Sequence, residues 1–279
     1  MTPYEMIASM IRVRSGIVLG PDKLYLVETR LAPILRREGL RDLGSLAERL
    51  RNTIHDRRGA ELAREVVEAM TTNETLFFRD GKPFVHLKQQ ALLRLHQTLP
   101  PGRPIRIWSA AASTGQEAYS LAMIVAEART SLPGRTVEIV GTDLARKAIG
   151  RAREGIYTQF EVQRGLPVHM LVKYFDKVDQ GWRIKDSLRS FVAFREWNLL
   201  SDLGQLGTFD IVLCRNVLIY FDPLTKGRVL EAISRQMTQD GLLYLGSSET
   251  TLGLTDRFLA LATERGVYTP AYAPREHAA

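Results

Sequence analysis

The chain has 279 residues, of which 45% are hydrophobic and 25% charged, a balance typical of a folded globular protein rather than a disordered one. Its single cysteine, Cys214, excludes an intrachain disulfide and a thiolate zinc cage. The formal net charge of +7 favours acidic partners, but it does not distinguish nucleic acid, anionic lipid and acidic protein surfaces.

We expect neither a membrane anchor nor an export signal in this sequence. Its apolar runs are shorter than the ~20 residues that a membrane span needs. Charged side chains at Glu5, Arg12 and Arg14 interrupt the first apolar positions, and no small-residue cleavage site follows them. We therefore expect a cytoplasmic protein that does not insert into a membrane.

Residues 1–70 carry the periodicity of consecutive amphipathic helices. Apolar side chains recur at helical spacing, for example at Val27, Leu31 and Ile34. Glycines interrupt these runs at positions where helices commonly end. The pattern predicts an all-α N-terminal domain over 1–70.

After Pro100 short apolar strands alternate with helices. The predicted strands cover 105–110, 137–143, 209–216, 241–248 and about 266–270, and the predicted helices cover 114–128, 144–155 and 224–237. Such alternation predicts a mostly parallel sheet with helices on both faces. Sheets of this kind bind ligands beyond the carboxyl ends of their strands, so the residues that follow each strand are the candidates for a site.

Two of these strand ends suit a nucleotide-like ligand. The loop SAAASTGQE (109–117) has small side chains that let the backbone approach a ligand, and it leads into a helix N-terminus. Asp143 follows the second strand, where an acid commonly accepts hydrogen bonds from ribose hydroxyls. A tight alanine-packed turn and a helix cap at Asp143 explain the same residues equally well. Neither feature separates a nicotinamide cofactor from S-adenosylmethionine.

Four longer strings resemble one known family. They are TTNETLFFRD (71–80), WSAAASTGQEAYSLAM (108–123), REWNLL (195–200) and CRNVLIYFD (214–222). In their order and spacing the chain resembles the chemotaxis receptor glutamate O-methyltransferases of the CheR type, from its first helices to about residue 270. The resemblance implies an α/β fold with a Rossmann-like class I methyltransferase domain over 101–270. It also implies that a linker and helix at 71–100, between this domain and the all-α domain, contribute to the cofactor site. It also implies a small antiparallel β-subdomain inserted at about 175–195, where YFDKVDQGWRIKD and SFVAFRE would form short antiparallel strands. We expect 271–279 to be a disordered tail.

The resemblance further implies S-adenosyl-L-methionine as the cofactor and S-adenosyl-L-homocysteine as its product. The residues that match the family's cofactor contacts are Asn73, Thr75, Arg79, Glu117, Asp143, Asn198, Leu199, Arg215 and Asn216. In this reading Glu117 meets the cofactor's amino group through a charge-assisted hydrogen bond, although it equally suits the first turn of a helix. Arg79 would clamp a carboxylate with its planar fork, and a surface ion pair is the alternative.

The implied reaction needs no general base, because a glutamate carboxylate, with a reference pKa of about 4.3, is already ionised at neutral pH. We expect Arg79 to orient this carboxylate and Tyr220 to line the pocket near the reacting methyl; a core tyrosine is the alternative for Tyr220. We expect no metal, because the five histidines share no metal-like spacing, and His277 falls in the predicted tail.

The implied substrate is the cytoplasmic helical region of membrane chemoreceptors, whose glutamates would become methyl esters during sensory adaptation. Arg30, Arg36 and Arg37 are the expected docking residues for this acidic surface. The turn in FDKVDQGWRI (175–184) is shorter than in family members that bind a C-terminal receptor pentapeptide, which predicts a pentapeptide-independent enzyme. We expect a monomer that does not bind nucleic acid.

Two alternative functions stay open. The net charge favours a methyltransferase of another substrate class, such as nucleic acid, but the chain lacks a DPPY-type motif and a basic-aromatic stripe. A non-catalytic module that binds the cofactor for regulation is the second, and the intact TTNETLFFRD and CRNVLIYFD strings argue against it.

Overall fold

The computed structural model describes residues 1–53 and 55–271, so His277 and the predicted tail from residue 272 lie outside the described residues. Within those ranges, no helix combines the length and the apolar character that a bilayer crossing requires. The chain divides into two compact units. The first holds residues 1–72 and 220–225, and the second holds 73–219 and the chain from 226 onward.

The first unit is helical, which confirms the predicted all-α domain. Its helices are α1 (Pro3–Ser15), α2 (Leu24–Glu38), α3 (Leu43–Thr53) and α4 (Arg57–Met70), with a 3₁₀ turn at Pro21–Lys23. Helix α1 starts with a capping box between Thr2 and Glu5 and ends at Gly16, whose φ of 80° favours glycine. The four helices bury their apolar faces in one core that includes Ile7, Leu31, Leu46 and Val66.

The second unit begins with a helical segment that precedes a sheet. The segment comprises α5 (Lys82–His86), a π-helical turn (Leu87–Ala91) and α6 (Leu92–Thr98). The parallel strands are β1 (Ile105–Ala110), β2 (Val137–Asp143), β6 (Val192–Glu196), β7 (Phe209–Cys214) and β8 (Met237–Leu245), with β9 (Phe258–Ala260) and β10 (Val267–Pro270) at one edge. The strand order is β6-β2-β1-β7-β8-β10-β9, and β10 runs antiparallel to both of its neighbours.

Helices connect the strands, as the sequence predicts. They are α7 (Gln116–Glu127), α8 (Arg146–Glu154), α9 (Gln159–Gln163), α10 (Val168–Tyr174), α11 (Asp186–Arg189) and α12 (Pro223–Arg235), with 3₁₀ turns at Arg129–Ser131, Gly204–Leu206 and Leu218–Tyr220. All six residues of β7 are buried, which is typical of a central strand covered on both faces. Strands β7 and β8 end at Cys214 and Leu245, so 215–216 and 246–248 lie in loops beyond the carboxyl ends.

A second, small sheet is antiparallel and has the order β3-β5-β4, formed by β3 (Ile156–Tyr157), β4 (Phe175–Val178) and β5 (Gly181–Ile184). The prediction that SFVAFRE (190–196) joins it is wrong, because β6 pairs in parallel with β2 at the edge of the main sheet. The reason is packing. Gly141 of β2 leaves room for the Phe194 ring, which a Cβ at Gly141 would meet at 2.7 Å. An apolar alternation identifies a strand, but it does not identify the partner strand.

Candidate active site

Backbone strain marks one end of the main sheet. Among the described residues, five non-glycine residues have φ between 51° and 67°, namely Phe78, Asp80, Ala111, Ser113 and Asn216. Two lie in residues 73–81, which we call the linker segment, two in the loop after β1 and one after β7. Such conformations cost about 1–3 kcal/mol each and concentrate at functional sites. The strained residues therefore identify the carboxyl ends of β1 and β7 as the candidate site.

Asp143 joins the loops that follow β1 and β2. Its Oδ2 accepts the Ser113 backbone N–H at 2.8 Å, and its Oδ1 accepts the Ala145 N–H at 2.8 Å. The side chain is only 6% exposed, so both bonds form in a low-dielectric setting. Ala145, rather than Asp143, occupies the N-cap of α8. Asp143 thus orders the loop after β1 and does not act as the helix cap.

Hydrogen bonds hold the linker segment against the loop that follows β1 and against α7. The Ser113 hydroxyl donates to the Asn73 carbonyl at 2.8 Å, and the Phe78 backbone N–H donates to the Ser120 hydroxyl of α7 at 3.0 Å. The Phe77 ring is fully buried and packs edge-on against Tyr157 at 5.0 Å between centroids. The structure therefore brings Asn73 beside the loop after β1, with Thr75 half-buried in the same segment.

Arg215 links three parts of the site. Its guanidinium donates to Glu117 Oε2 at 2.9 Å, and to Asp80 Oδ2 and the Arg79 carbonyl at 2.7 Å each. The Ser109 hydroxyl donates to the other oxygen of Glu117 at 2.8 Å. Only 1% of the Arg215 side chain is exposed, against 13% for Glu117. A buried cation with this many acceptors fixes the geometry of its partners, so Arg215 orients Glu117 and the linker segment.

A cavity of about 350 Å³ opens beside the carboxyl ends of β2 and β6, lined by residues that include Leu144, Trp197 and Asn198. The Trp197 backbone N–H donates to the Asp143 carbonyl at 2.9 Å, which sets 197–199 beside the end of β2. Asn198 Oδ1 accepts the Leu200 N–H at 3.0 Å, and Leu199 is buried. The Trp197 indole N–H is buried and has no partner among the described residues. The cavity itself is partly apolar, which suits a heterocyclic ligand.

Asn216 supplies a second unpaired polar atom. Its amide Oδ1 is buried and has no hydrogen-bond partner in the described part of the chain. Its backbone N–H donates to the Glu249 carboxylate at 2.8 Å. Glu249 was not predicted as a site residue. Its signal in the sequence is an acid in the loop GSSET (246–250) beyond the end of β8, at the same end of the sheet as Asp143, the last residue of β2.

Burial sets the chemistry of Cys214, the last residue of β7. Burial raises the pKa of its thiol well above the ordinary value, and the nearby carboxylates of Glu249 and Glu117 act in the same direction. The thiol is therefore neutral at physiological pH and unsuited to act as a nucleophile. Over the described ranges, no cluster of His, Cys, Asp and Glu side chains could hold a metal ion.

The two residues with predicted catalytic roles have separate settings. Arg79 is half-buried, and its guanidinium donates to the Glu74 carbonyl at 3.3 Å. Tyr220 ends a 3₁₀ turn, is half-buried and belongs to the first unit, where its carbonyl accepts the Val18 N–H at 2.9 Å. Their roles in methyl transfer stay predictions.

The three predicted docking arginines of α2 differ in their hydrogen bonds and ion pairs. Arg30 is half-buried and donates to the carbonyls of Met70 and Thr71 at 3.0 Å each, so it closes the carboxyl end of α4. Arg37 pairs with Glu38 and Glu65. The Arg36 side chain is exposed and makes no ion pair within residues 1–53 and 55–271. Arg36 is thus the freest of the three for contact with another molecule.

Comparison with known proteins identifies the family of the chain. The family model described as "CheR methyltransferase, SAM binding domain" matches residues 73–267, and the model described as "CheR methyltransferase, all-alpha domain" matches residues 3–71. A chemotaxis protein methyltransferase of Vibrio anguillarum is 40% identical over 267 residues, which cover 95% of this chain and 94% of the relative.

Two further relatives match over a similar length. Chemotaxis protein methyltransferase 1 of Pseudomonas aeruginosa is 41% identical over 268 residues, 95% of this chain and 96% of the relative. The chemotaxis protein methyltransferase of Escherichia coli K12 is 35% identical over 260 residues, 91% of this chain and 86% of the relative. With both family models in sequence order and relatives matched along nearly their whole length, the chain belongs to the CheR methyltransferase family and is an S-adenosylmethionine-dependent methyltransferase.

Proposed function

We propose that this enzyme transfers a methyl group from S-adenosylmethionine to glutamate side-chain carboxylates of chemoreceptors, and that the methyl esters serve sensory adaptation. The observation that carries the proposal is the match to relatives named chemotaxis protein methyltransferases, about 40% identical over nearly the full length of both chains. Because the receptor segments concerned are cytoplasmic, the enzyme would act in the cytoplasm.

The residues at the strand ends fit S-adenosylmethionine. The cavity at Trp197 and Asn198 has a partly apolar wall against which an adenine ring would pack. The Asp143 carboxylate, which the backbone N–H groups of Ser113 and Ala145 hold in place, lies at the end of β2, where an acid commonly accepts hydrogen bonds from ribose hydroxyls. Asn216 Oδ1 and Glu117 supply acceptors for the ammonium group of the methionine part. Asn73, Thr75 and Leu199 complete the proposed set.

We assign Arg215 two roles in this site, as the residue that orients Glu117 and as one of the cofactor contacts. Its side chain is almost fully buried and already donates to Glu117, Asp80 and the Arg79 carbonyl. It would therefore hold Glu117 in place for the cofactor, while its own Nε, which is buried and has no partner among the described residues, is available for the predicted cofactor contact. This division of roles resembles other buried charge networks, in which one ion orients another.

The chemistry follows from the charges. When bound, the cofactor supplies an electrophilic methyl group on a sulfonium. The nucleophile is a carboxylate that is ionised at neutral pH, so the enzyme's residues need only position it and remove part of its hydration. We assign Arg79 to orient the carboxylate through charge-assisted hydrogen bonds, and Tyr220 to line the pocket near the methyl group.

For the receptor we propose docking on α2 through Arg36, with Arg37 beside it. The small antiparallel sheet has only two residues, Asp179 and Gln180, between β4 and β5. A Cβ at Gly181 would lie 2.3 Å from the Tyr157 carbonyl, so this hairpin is packed tightly on β3. So short a loop supports an enzyme that works without a receptor pentapeptide tether. We propose that it acts as a monomer and does not bind nucleic acid.

The test is methyl transfer from tritiated S-adenosylmethionine to membranes that contain chemoreceptors. We expect labelled receptor from which alkali releases volatile methanol, because methyl esters are base-labile. A base-stable product would show that another substrate class is methylated. Binding of S-adenosylhomocysteine without any transfer would show a non-catalytic module.

A second arm of the same assay uses a receptor truncated by its C-terminal pentapeptide. We expect its initial methylation rate to equal that of the full-length receptor. A rate lower by tenfold or more would contradict pentapeptide independence, while leaving the ester chemistry intact.

A further inference from the structure

Glu249 is a buried carboxylate that gathers four backbone N–H groups. Its Oε2 accepts from Gly246 at 2.7 Å and from Asn216 at 2.8 Å. Its Oε1 accepts from Val217 at 2.9 Å and from Leu218 at 2.8 Å. The side chain is 9% exposed. Successive N–H groups that converge on an anion form a nest, a strong way to fix a loop around a charge.

This nest ties together the loops that follow two neighbouring strands. β7 and β8 pair in parallel up to Cys214 and Leu245, and Glu249 bridges the residues directly beyond that pair. Three of its four donors are consecutive residues of the loop after β7. The first of them, Asn216, has a left-handed φ of 59°, a conformation that asparagine adopts more readily than most L residues and in which the bond from its N–H to Glu249 holds it.

The same contacts fix the side chain of Asn216. A Cβ at Gly246 would lie 2.7 Å from Glu249 Oε2 and 2.9 Å from Asn216 Nδ2, so the amide lies directly against the glycine. Its Oδ1 is nevertheless buried and lacks a hydrogen-bond partner within the described residues. A buried acceptor that is held so firmly and left unpaired is costly, unless a ligand donates to it.

We propose that Glu249 is a positioning residue for cofactor binding. Its carboxylate holds the loop after β7 so that Asn216 Oδ1 meets a hydrogen-bond donor of S-adenosylmethionine. The inference rests on the proposed placement of the cofactor at these strand ends, and it adds a residue that acts through Asn216 without touching the cofactor.

The test is the Glu249→Gln variant, titrated calorimetrically with S-adenosylhomocysteine. The substitution turns one acceptor oxygen into an NH₂ group that faces N–H donors, so two of the four bonds are lost. We expect the Kd for S-adenosylhomocysteine to rise about tenfold or more.

Asp210→Asn is the matched control. Asp210 is fully buried, accepts the Arg106 backbone N–H at 2.9 Å and lies on the same strand β7, near its opposite end. We expect its Kd to stay within about twofold of the wild-type value.

A double-mutant cycle separates positioning from general loss of structure. Asn216→Gly removes the acceptor and tolerates the left-handed φ, so it should weaken binding by itself. In that background Glu249→Gln should change the Kd less than twofold, because the group through which Glu249 acts is gone. Full additivity, or equal losses in Glu249→Gln and Asp210→Asn, would overturn the proposal.

A substitute variant and the binding of the wild-type enzyme complete the test. If Glu249→Gln fails to fold, Gly246→Ala takes its place in the cycle, since its Cβ would crowd the same two groups, and the same criteria apply. If the wild-type enzyme itself does not bind S-adenosylhomocysteine, the proposed placement of the cofactor fails. If the wild type binds and the variants bind equally well, only the role of Glu249 fails.

Discussion

At the scale of single residues, Arg79 is the side chain on which methyl transfer should depend most directly. Its guanidinium is half-buried and donates to one backbone carbonyl, that of Glu74. Donor capacity therefore remains for an incoming carboxylate. We expect Arg79→Ala to lower kcat by roughly tenfold to a hundredfold, because an unoriented carboxylate loses most of its proximity advantage. Initial rates of tritium transfer at saturating cofactor measure the effect.

Arg164→Ala provides a matched control for that variant. Arg164 is another arginine next to Glu74, pairs with its carboxylate at 3.2 Å and has a side chain that is 40% exposed. Its removal changes the net charge equally and should leave kcat within about twofold, as expected for an exposed ion pair. An Arg79→Ala enzyme that works at the wild-type rate would remove Arg79 from the mechanism.

The sequence predicts the chemistry of individual residues better than their partners. The acid after β2 and the first-turn acid of α7 could be selected from their positions behind predicted strands. The burial of Arg215 could not be foreseen, because its acceptors Glu117 and Asp80 lie 98 and 135 residues away along the chain. Glu249 was missed for the same reason, since its role depends on backbone N–H groups more than 30 residues away.

At the scale of elements, α2 presents one arginine that the fold leaves free. Arg30 closes the end of α4 and Arg37 pairs with acids, whereas Arg36 is exposed. We expect Arg36→Ala to raise the KM for receptor about threefold at low salt. The effect should vanish near 0.5 M salt, because the Debye length falls below about 5 Å there. Methylation rates over a series of receptor and salt concentrations measure it.

Arg58→Ala separates docking from net charge. Arg58 lies on α4, is 80% exposed and makes only a weak contact of 3.5 Å with Glu38. Its substitution removes the same charge and should leave the KM for receptor unchanged at every salt concentration. Equal shifts in the two variants would indicate attraction by the protein's overall charge and would contradict docking through α2.

Elements that follow from a pattern of neighbouring residues were predicted well. The pairing of strands that lie far apart in the sequence was not. The helices of the first unit follow from a 3.6-residue periodicity that is local in sequence. SFVAFRE was correctly predicted to be a strand and wrongly paired, since the choice between the two sheets depends on the space that Gly141 leaves for Phe194. The segment 156–174 carries no clear period, and its short helices α9 and α10 escaped prediction.

At the scale of the whole molecule, the order of elements along the chain predicts the fold class, but it does not predict which compact unit each segment joins. Residues 220–225 belong to the first unit, although they follow β7 in sequence. A β-bridge between Ile17 and Phe221 and a 3.0 Å ion pair between Arg12 and Asp222 account for this. Such contacts close a loop of about two hundred residues, and no local sequence pattern predicts them.

The stability of the second unit should depend on pH through one buried histidine. His86 is buried, and its Nδ1 lies 2.8 Å from the Tyr244 hydroxyl. Burial lowers the pKa of its imidazole below the ordinary 6.5; Arg94 acts in the same direction and Glu264 opposes it. As the pH falls through about 6.5, the His86 imidazole becomes protonated in the unfolded chain but stays neutral in the folded chain. The free energy of unfolding should therefore be highest above that pH and decrease below it.

His86→Gln should flatten this dependence, because the amide can still hydrogen-bond Tyr244 but does not titrate. Urea unfolding followed by tryptophan fluorescence between pH 5.5 and 8 measures it. The signal reports on the second unit, which holds Trp108, Trp182 and Trp197. His169→Gln removes an exposed imidazole on α10 and should keep the wild-type slope. If His86→Gln loses stability on acidification as steeply as the wild type, the titrating group lies elsewhere, and burial of His86 would not explain the pH dependence of the fold.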